Sequence, residues 1–328
     1  MSENNSNKSS DTECNESECC KENNCCIESN CEEECECKEQ KFNLNIVKSP
    51  YDRRDWLIED FYVSYELPNT YDLRDELMPV RNQGSQGTCA AQSGACMKEW
   101  QERQDVGLKK YMSPQFIYNQ RSYWNDDVQD GDDPNEDNGM YMRDLMRILQ
   151  KIGVCEEELY PYGKIQKADQ IDINIISNAS KYKVKHYAQV VTIDGLKRNL
   201  IEKGPCVVAF PVYNYGMEMW KQKNNETRKG GHAMTIVGYT EDSFIIRNSW
   251  GSSWGDKGYC YYKFNDWGDH WEIWGTLDAD TPSPPPRPPT PIPPRPNPRP
   301  RPIPPSPYPN SPSSPNKNDK FCTGCNIL

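Results

Sequence analysis

Apolar positions concentrate in the middle of the chain, and their period changes along it. Between residues 89 and 160 they recur at helical spacing. Cys89, Gln92, Cys96 and Trp100 fall at i, i+3 and i+4 intervals behind the turn residues Gly84 and Gly87. Tyr141, Leu145, Ile148 and Leu149 repeat that period. From 182 to 274 the pattern shortens to β-rich runs at 206–210, 234–239, 244–247 and 258–264, several separated by glycine-containing turns. Helices first and strands later predict an α+β body with two lobes.

The flanks lack this patterning. Residues 1–40 carry no aromatic and almost no aliphatic side chain, so they cannot bury enough apolar surface to offset ordering entropy and are predicted to be disordered. Residues 281–316 hold 19 prolines, a polyproline II linker punctuated by arginine. At about 3.1 Å per residue it spans roughly 100 Å, the reach of a semi-rigid spacer. The expected organisation is an acidic Cys-rich tail (1–40), a short pro-like or packing segment (41–66), a body (67–280), the linker (281–316) and a C-terminal tail (317–328).

Charge follows the same division. The net charge of −11 splits into −9 over residues 1–40, −7 over 41–280 and +5 over 281–328. The body has no basic stripe interleaved with aromatics, so nucleic acid is not an expected partner. No run of about 18 apolar residues predicts a transmembrane helix. The first twenty residues lack the basic and apolar regions of a secretory signal, and the expected location is intracellular and cytoplasmic.

Candidate chemistry begins at Cys89, which opens a predicted helix behind Gln83-Gly84-Ser85-Gln86-Gly87-Thr88. Unpaired N–H groups and the positive dipole end of a helix lower a thiol pKa and favour the nucleophilic thiolate. A buried structural cysteine is the alternative at such a position. The chain has three histidines. His186, in a lysine-rich run that reads as a half-exposed strand, and His270, among Trp267, Trp271 and Trp274, suit surface or packing roles. His232 follows Gly230-Gly231 and opens an apolar strand, and Asn248 ends the next one, sixteen residues on. Adjacent strands would bring the two together, the Asn carbonyl orienting the ring and leaving its other nitrogen to face a thiol.

Three segments resemble the papain family of cysteine peptidases: Asn-Gln-Gly-Ser-Gln-Gly-Thr-Cys, Gly-His-Ala-Met-Thr-Ile-Val-Gly-Tyr, and Arg-Asn-Ser-Trp-Gly-Ser-Ser-Trp-Gly-Asp-Lys-Gly-Tyr. The resemblance spans roughly residues 67–275, from Leu67-Pro68 through Asn138-Gly139 and Tyr160-Pro161-Tyr162, with His232 and Asn248 lying 143 and 159 residues after Cys89. It implies a papain-like two-lobed fold and hydrolysis of a peptide or protein substrate without cofactor or metal. Cys89 is then the nucleophile, His232 its base and later the acid, and Asn248 the orienting group. Gln83 and the Cys89 N–H form the oxyanion hole. Trp250 shields the His232–Asn248 bond, and substrate lies against Asn138, Gly139, Met140, Gly231, Ala233 and Trp250.

The chain departs from the family pattern. The cysteine pair that usually links the nucleophile loop to the Asn-Gly segment is replaced by Gln86 and Asp137, consistent with a reducing compartment. Ala90 stands where Trp is usual, and Met140 replaces a glycine. Asp126, Asp127, Asp130, Asp132, Asp133, Glu136 and Asp137 form an acidic run that either biases the cleft toward basic peptides or is a solvated loop. The long helical pro-segment has no room. Residues 42–65, dense in apolar side chains, either cover the cleft as a short inhibitor or complete the surface of the body.

The tails suggest partners. Eight cysteines between 14 and 37 offer soft ligands, at spacings that match no zinc finger or ribbon. The proline-rich stretch has the form of an SH3 or WW ligand. Cys325-Asn326-Ile327-Leu328 has the C-a-a-X form with the non-aliphatic Asn326 inside it, and Cys322 offers a second lipid site, together a membrane tether. A catalytically idle scaffold and acyl transfer through the same thiol compete with hydrolysis. Retention of Gln83, Cys89, His232 and Asn248 favours an enzyme.

Overall fold

In a computed structural model the chain is described over residues 42–62, 65–121 and 137–277. The tail cysteines, the proline-rich linker, Cys322, Cys325 and all of the acidic run except Asp137 lie outside the described residues.

In chain order the elements are β1 (Ile46–Val47), β2 (Tyr71–Asp72), α1 (Cys89–Val106), α2 (Pro114–Asn119), β3 (Met140–Tyr141), α3 (Met142–Lys151), α4 (Ile173–Ala179), β4 (His186–Gln189), α5 (Ile193–Glu202), β5 (Cys206–Val212), β6 (Gly230–Tyr239), β7 (Ser243–Arg247), β8 (Tyr259–Lys263) and β9 (Glu272–Leu277). Among the described residues β4, β9, β5, β6, β7 and β8 lie in that order in one antiparallel sheet, and β2 pairs with β6 outside this path. The class is α+β, as the change of period predicted.

Helix α1 is buried from Cys89 to Glu102, which is why its apolar spacing extends nearly all round. Its charges are paired: Lys98 with Glu102 at 2.6 Å, and Glu99 with Arg81 and the Met112 N–H. Gly94 lets α3 approach, because a β-carbon there would fall 2.6 Å from Leu145 Cδ1. Strand β5 is buried on both faces. Val207 and Ala209 join the cluster around α1 and α3, while Val208 and Phe210 join the second cluster with Met234, Ile236, Phe244 and Tyr262. This alternation makes β5 and β6 the wall between two cores.

Strands β5 to β8 match the runs expected from sequence within a few residues, and α3 starts one residue after Tyr141. Elements α4, α5 and β9 are additional, while β4 carries the half-exposed strand expected at His186. Strand β9 is interrupted by Gly275. Helix α5 interrupts the β-rich region and starts at Thr192, whose Oγ1 accepts from the Gly195 N–H at 3.0 Å. No helix among the described residues is long and apolar enough to cross a membrane.

Candidate active site

Residue by residue, the fold assembles the candidates. Cys89 is the first residue of α1. Its N-cap, Thr88, makes no side-chain capping bond, and Thr88 Oγ1 pairs instead with Tyr162 Oη at 2.8 Å. His232 is the third residue of β6, and Asn248 directly follows β7. Antiparallel pairing of Thr235 with Arg247 brings the start of one strand beside the end of the other. His232 Nε2 and Asn248 Oδ1 are 2.7 Å apart. His232 Nδ1 is buried and has no hydrogen-bond partner among the described residues. The Trp250 ring lies 4.4 Å from the imidazole, centroid to centroid, and Trp254 meets Trp250 edge-on at 5.5 Å.

Gln83 reaches the same loop through its backbone N–H, which donates to Ser249 O at 2.8 Å. Its Oε1 accepts from Ser249 Oγ at 2.6 Å, and its Nε2 donates to Gln86 O at 2.9 Å. An amide nitrogen carries two hydrogens, so this bond fixes the carboxamide and uses one donor. Tyr162 adds a brace, donating to Gln83 O at 2.7 Å. Its position in Tyr160-Pro161-Tyr162 was the available signal for this contact.

Asp137 was legible as a missing cysteine, but not as a hub. Its Oδ2 accepts from the Gly87 N–H at 2.7 Å and its Oδ1 from Tyr118 Oη. Tyr118 Oη in turn accepts from the Gly139 N–H at 3.1 Å. A hydrogen-bonded carboxylate thus joins the nucleophile loop to the 137–140 segment, where the family pattern has a covalent link. The five cysteines among the described residues are free and buried.

The predicted substrate-contacting residues converge on one occupant, residues 42–47 of the same chain. β1 pairs in parallel with β3, Ile46 opposite Met140. The Gly231 N–H donates to Leu44 O at 3.1 Å on the opposite wall. Gly139 has φ +76°, and a β-carbon there would collide with Asn45 O; glycine serves both the left-handed backbone and the close approach. A β-carbon at Gly231 would fall 2.5 Å from Ile46 Cγ2. Ile46 is buried in the same core cluster as Met140, Ala209, Ala233 and Trp274. Phe42 stacks on Trp250 at 4.3 Å and 10°. Asn43 Nδ2 lies 2.5 Å from Asp137 Oδ2, Asn45 Nδ2 donates to Asp137 O, and Asn138 lines the cavity beside Ile46 and Trp271.

Further along, the segment belongs to the body. Asp55 pairs with Arg143 through two bonds of 3.1 and 2.6 Å, the Ser49 N–H donates to Glu272 at 2.8 Å, and Glu59 accepts from the Val191 and Thr192 N–H groups at the start of α5. Ile58 is fully buried. The two expectations for residues 42–65 therefore divide by position: 42–47 lie in the cleft, and 49–62 pack.

Burial sets the electrostatics. Cys89 and His232 are fully buried. Burial pushes the Cys89 thiol up to about 11, overriding hydrogen bonding from the Ala233 and Ala90 backbone. Burial also pushes His232 down to about 4, against the opposing effect of Asn248. The lowered thiol pKa expected from the helix terminus is therefore absent in the covered cleft, because desolvation exceeds the dipole effect. In this state the pair is neutral.

A pH dependence follows. His232 is depressed from 6.5 to about 4 in the folded chain, so the unfolded chain binds its proton first on acidification. Its contribution to stability is present above pH 6.5 and is lost as pH falls toward 4. At about 1.4 kcal/mol per pKa unit this amounts to roughly 3 kcal/mol. Thermal melts of the full chain should lose more stability between pH 6.5 and 4 than melts of His232→Gln. Parallel profiles would contradict the assignment. The other histidines match the sequence reading: His270 packs against Tyr262 and Trp267, and His186 is exposed at the start of β4.

Comparison with known proteins identifies the relatives of this chain. The family model for papain family cysteine proteases matches residues 67–274. An uncharacterized peptidase C1-like protein of Acanthamoeba polyphaga mimivirus is 28% identical over 254 residues, covering 66% of this chain and 80% of the viral protein. Cathepsin K of Mus musculus is 29% identical over 213 residues, 61% of this chain and 60% of its own length. Among solved structures, xylellain, a cysteine protease from Xylella fastidiosa, superposes with a TM-score of 0.62 at 27% identity, covering 72% of this chain and 96% of its own.

Proposed function

The chain belongs to the papain family of cysteine proteases, and we propose that it hydrolyses peptide bonds with Cys89 as nucleophile, His232 as base and acid, and Asn248 as the group that orients the imidazole. The observation that carries this reading is the 2.7 Å bond from His232 Nε2 to Asn248 Oδ1, with Nδ1 buried and without a hydrogen-bond partner among the described residues. That bond fixes the tautomer and leaves one nitrogen to take the thiol proton. Thiolate attack on the carbonyl gives a tetrahedral oxyanion, and collapse transfers the His232 proton to the leaving amine. Water then attacks the thioester, with His232 acting as base. A thiol-directed epoxide should label the full chain, with Ile46→Asp opening the cleft, and should fail to label it when Cys89→Ala is added. Labelling that persists without Cys89 would refute this assignment.

Gln83 is the candidate side-chain donor to the oxyanion. Its fixed carboxamide, held at 2.6 Å from Ser249 Oγ and 2.9 Å from Gln86 O, supports that role. Gln83→Ala should lower kcat by roughly 10²- to 10³-fold, the usual cost of one oxyanion donor. A change mainly in KM would assign it to binding instead.

Residues 42–47 act in this reading as a built-in inhibitor. Residues 46–47 run parallel to β3, and the buried Ile46 lies between Met140 and Gly231. The SH3 or WW ligand and the lipid tether remain proposals from sequence, as does a cytoplasmic location. An SH3-domain pull-down and intact mass from a eukaryotic host test the first two. Imaging of the tagged chain tests the third.

A further inference from the structure

The hydroxyl of Tyr162 joins the two ends of the nucleophile loop. It donates to Gln83 O at 2.7 Å and pairs with Thr88 Oγ1 at 2.8 Å. A phenol has one hydrogen, and a carbonyl only accepts. The Thr88 hydroxyl is therefore the donor to Tyr162, and both bonds stand together. Gln83 lies at one end of the loop, and Cys89 follows Thr88 at the other. A fixed backbone delivers the phenol. The Tyr162 N–H donates to Glu157 Oε1 at 2.8 Å, the Gly163 N–H donates to Gln115 Oε1 of α2 at 3.0 Å, and Tyr160 O accepts from Ser113 Oγ at 2.6 Å. The loop has reason to need a grip from outside. Gly84 has φ +61° and open space where a β-carbon would stand, and glycine lets the peptide after Gln83 turn at little cost. The bond from Tyr162 to Gln83 O holds that peptide. Thr88 is a residue type that caps helices, yet its side chain makes no cap bond to α1. Its hydroxyl goes to Tyr162 instead.

We infer that Tyr162 is a positioning residue for the oxyanion donors: through Gln83 O and Thr88 Oγ1 it sets the Gln83 carboxamide in register with the Cys89 N–H. This rests on the peptidase reading above and adds a residue to it. The oxyanion forms only during attack on the carbonyl, and donors aimed at its position in advance lower the barrier. Ser249 Oγ holds the Gln83 carboxamide at 2.6 Å, and Gln86 O turns it at 2.9 Å. Neither bond reaches Thr88, the residue before α1. Tyr162 reaches both Gln83 and Thr88, from a segment 79 and 74 residues further along the chain. Loss of this hydroxyl should slow the step that makes the oxyanion and leave the thiol as reactive as before.

The test uses the full chain carrying Ile46→Asp, with and without Tyr162→Phe. Two rates are compared: peptide turnover, and alkylation of Cys89 by iodoacetamide, followed by the mass of the Cys89 peptide. In alkylation the thiolate sulfur displaces iodide, and no oxyanion forms. Tyr162→Phe should lower kcat roughly tenfold, the size set by one hydrogen bond, with little change in KM. Its alkylation rate should match that of the parent. In a Gln83→Ala background Tyr162→Phe should cost less than about twofold more, because a residue that acts through another does not add to it. If Tyr162→Phe does not fold, Thr88→Val cuts the other arm of the grip and should show the same split. Unchanged kcat, an equal fall in turnover and alkylation, a rise in KM alone, or a loss that multiplies with that of Gln83→Ala each overturns the inference. So does a Gln83→Ala variant with full turnover, which would leave Tyr162 no oxyanion donor to place. In all of these the parent still turns over peptide, and the peptidase reading stands. A parent that is alkylated at Cys89 and turns over no peptide overturns the peptidase reading and this inference with it.

Discussion

Cys89→Ala should reduce peptide turnover by at least roughly 10⁴-fold in a chain whose cleft has been opened, and His232→Ala should do nearly as much. The reasoning starts from the 2.7 Å bond between His232 Nε2 and Asn248 Oδ1. Without the thiol no acyl-enzyme forms, and the imidazole has no proton to take. Without the imidazole the thiol remains protonated at neutral pH, and the leaving amine departs unprotonated. The two groups act as a unit, so their effects should not add. The double variant is expected to fall no further than either single one, within a fewfold. Residual turnover would come from the oxyanion donors and from binding. Steady-state rates of the two single variants and the double variant check this. Losses that multiply would show that Cys89 and His232 do not share one step.

How much of this was legible in the sequence depends on the kind of signal each part leaves. Helix α1 and strands β5 to β8 leave strong local traces, helical spacing in the first and short β-rich runs, several between glycine-containing turns, in the others. His232 and Asn248 could be paired because two short strands in succession, one starting at the histidine and one ending at the asparagine, place them side by side. Strand β9 and helix α5 left weaker traces, a glycine-interrupted run and a three-turn pattern inside a β-rich region. The role of Asp137 was not legible. Its partners Gly87, Tyr118 and Asn43 lie 50, 19 and 94 residues away, and no local pattern records such contacts. The division of residues 42–62 was also hidden. Phe42 and Ile46 look like Trp56 and Ile58 in composition. Only the pairing of β1 with β3, against the docking of Asp55 on Arg143, separates a plug from a strap.

That separation shapes the second large effect. Ile46→Asp in the full chain should raise peptide turnover by two orders of magnitude or more. Ile46 is 3% exposed and packs with Met140, Ala209, Ala233 and Trp274. Replacing it forfeits the burial of one large aliphatic side chain, roughly 1.5–3 kcal/mol. It also asks the same apolar site to hold a carboxylate, which costs several kcal/mol more unless the segment leaves. At about 1.4 kcal/mol per tenfold, the closed population should fall by roughly a thousandfold or more. Departure of the segment is expected to admit water to Cys89 and His232, relaxing the burial that raises the thiol to about 11 and lowers the imidazole to about 4. Relief of steric block and recovery of the reactive ion pair then act together. Deleting residues 1–66 would be the wrong experiment, because it strips Ile58 from the core and Asp55 from Arg143. Asp55→Ala supplies the contrast: it weakens the strap by breaking a pair with 2.6 Å geometry while Ile46 stays seated, so it should lower the melting temperature with little gain in turnover. If Ile46→Asp melts as the parent does, labels at Cys89 no faster and turns over no more peptide, then residues 42–47 do not control access to the thiol.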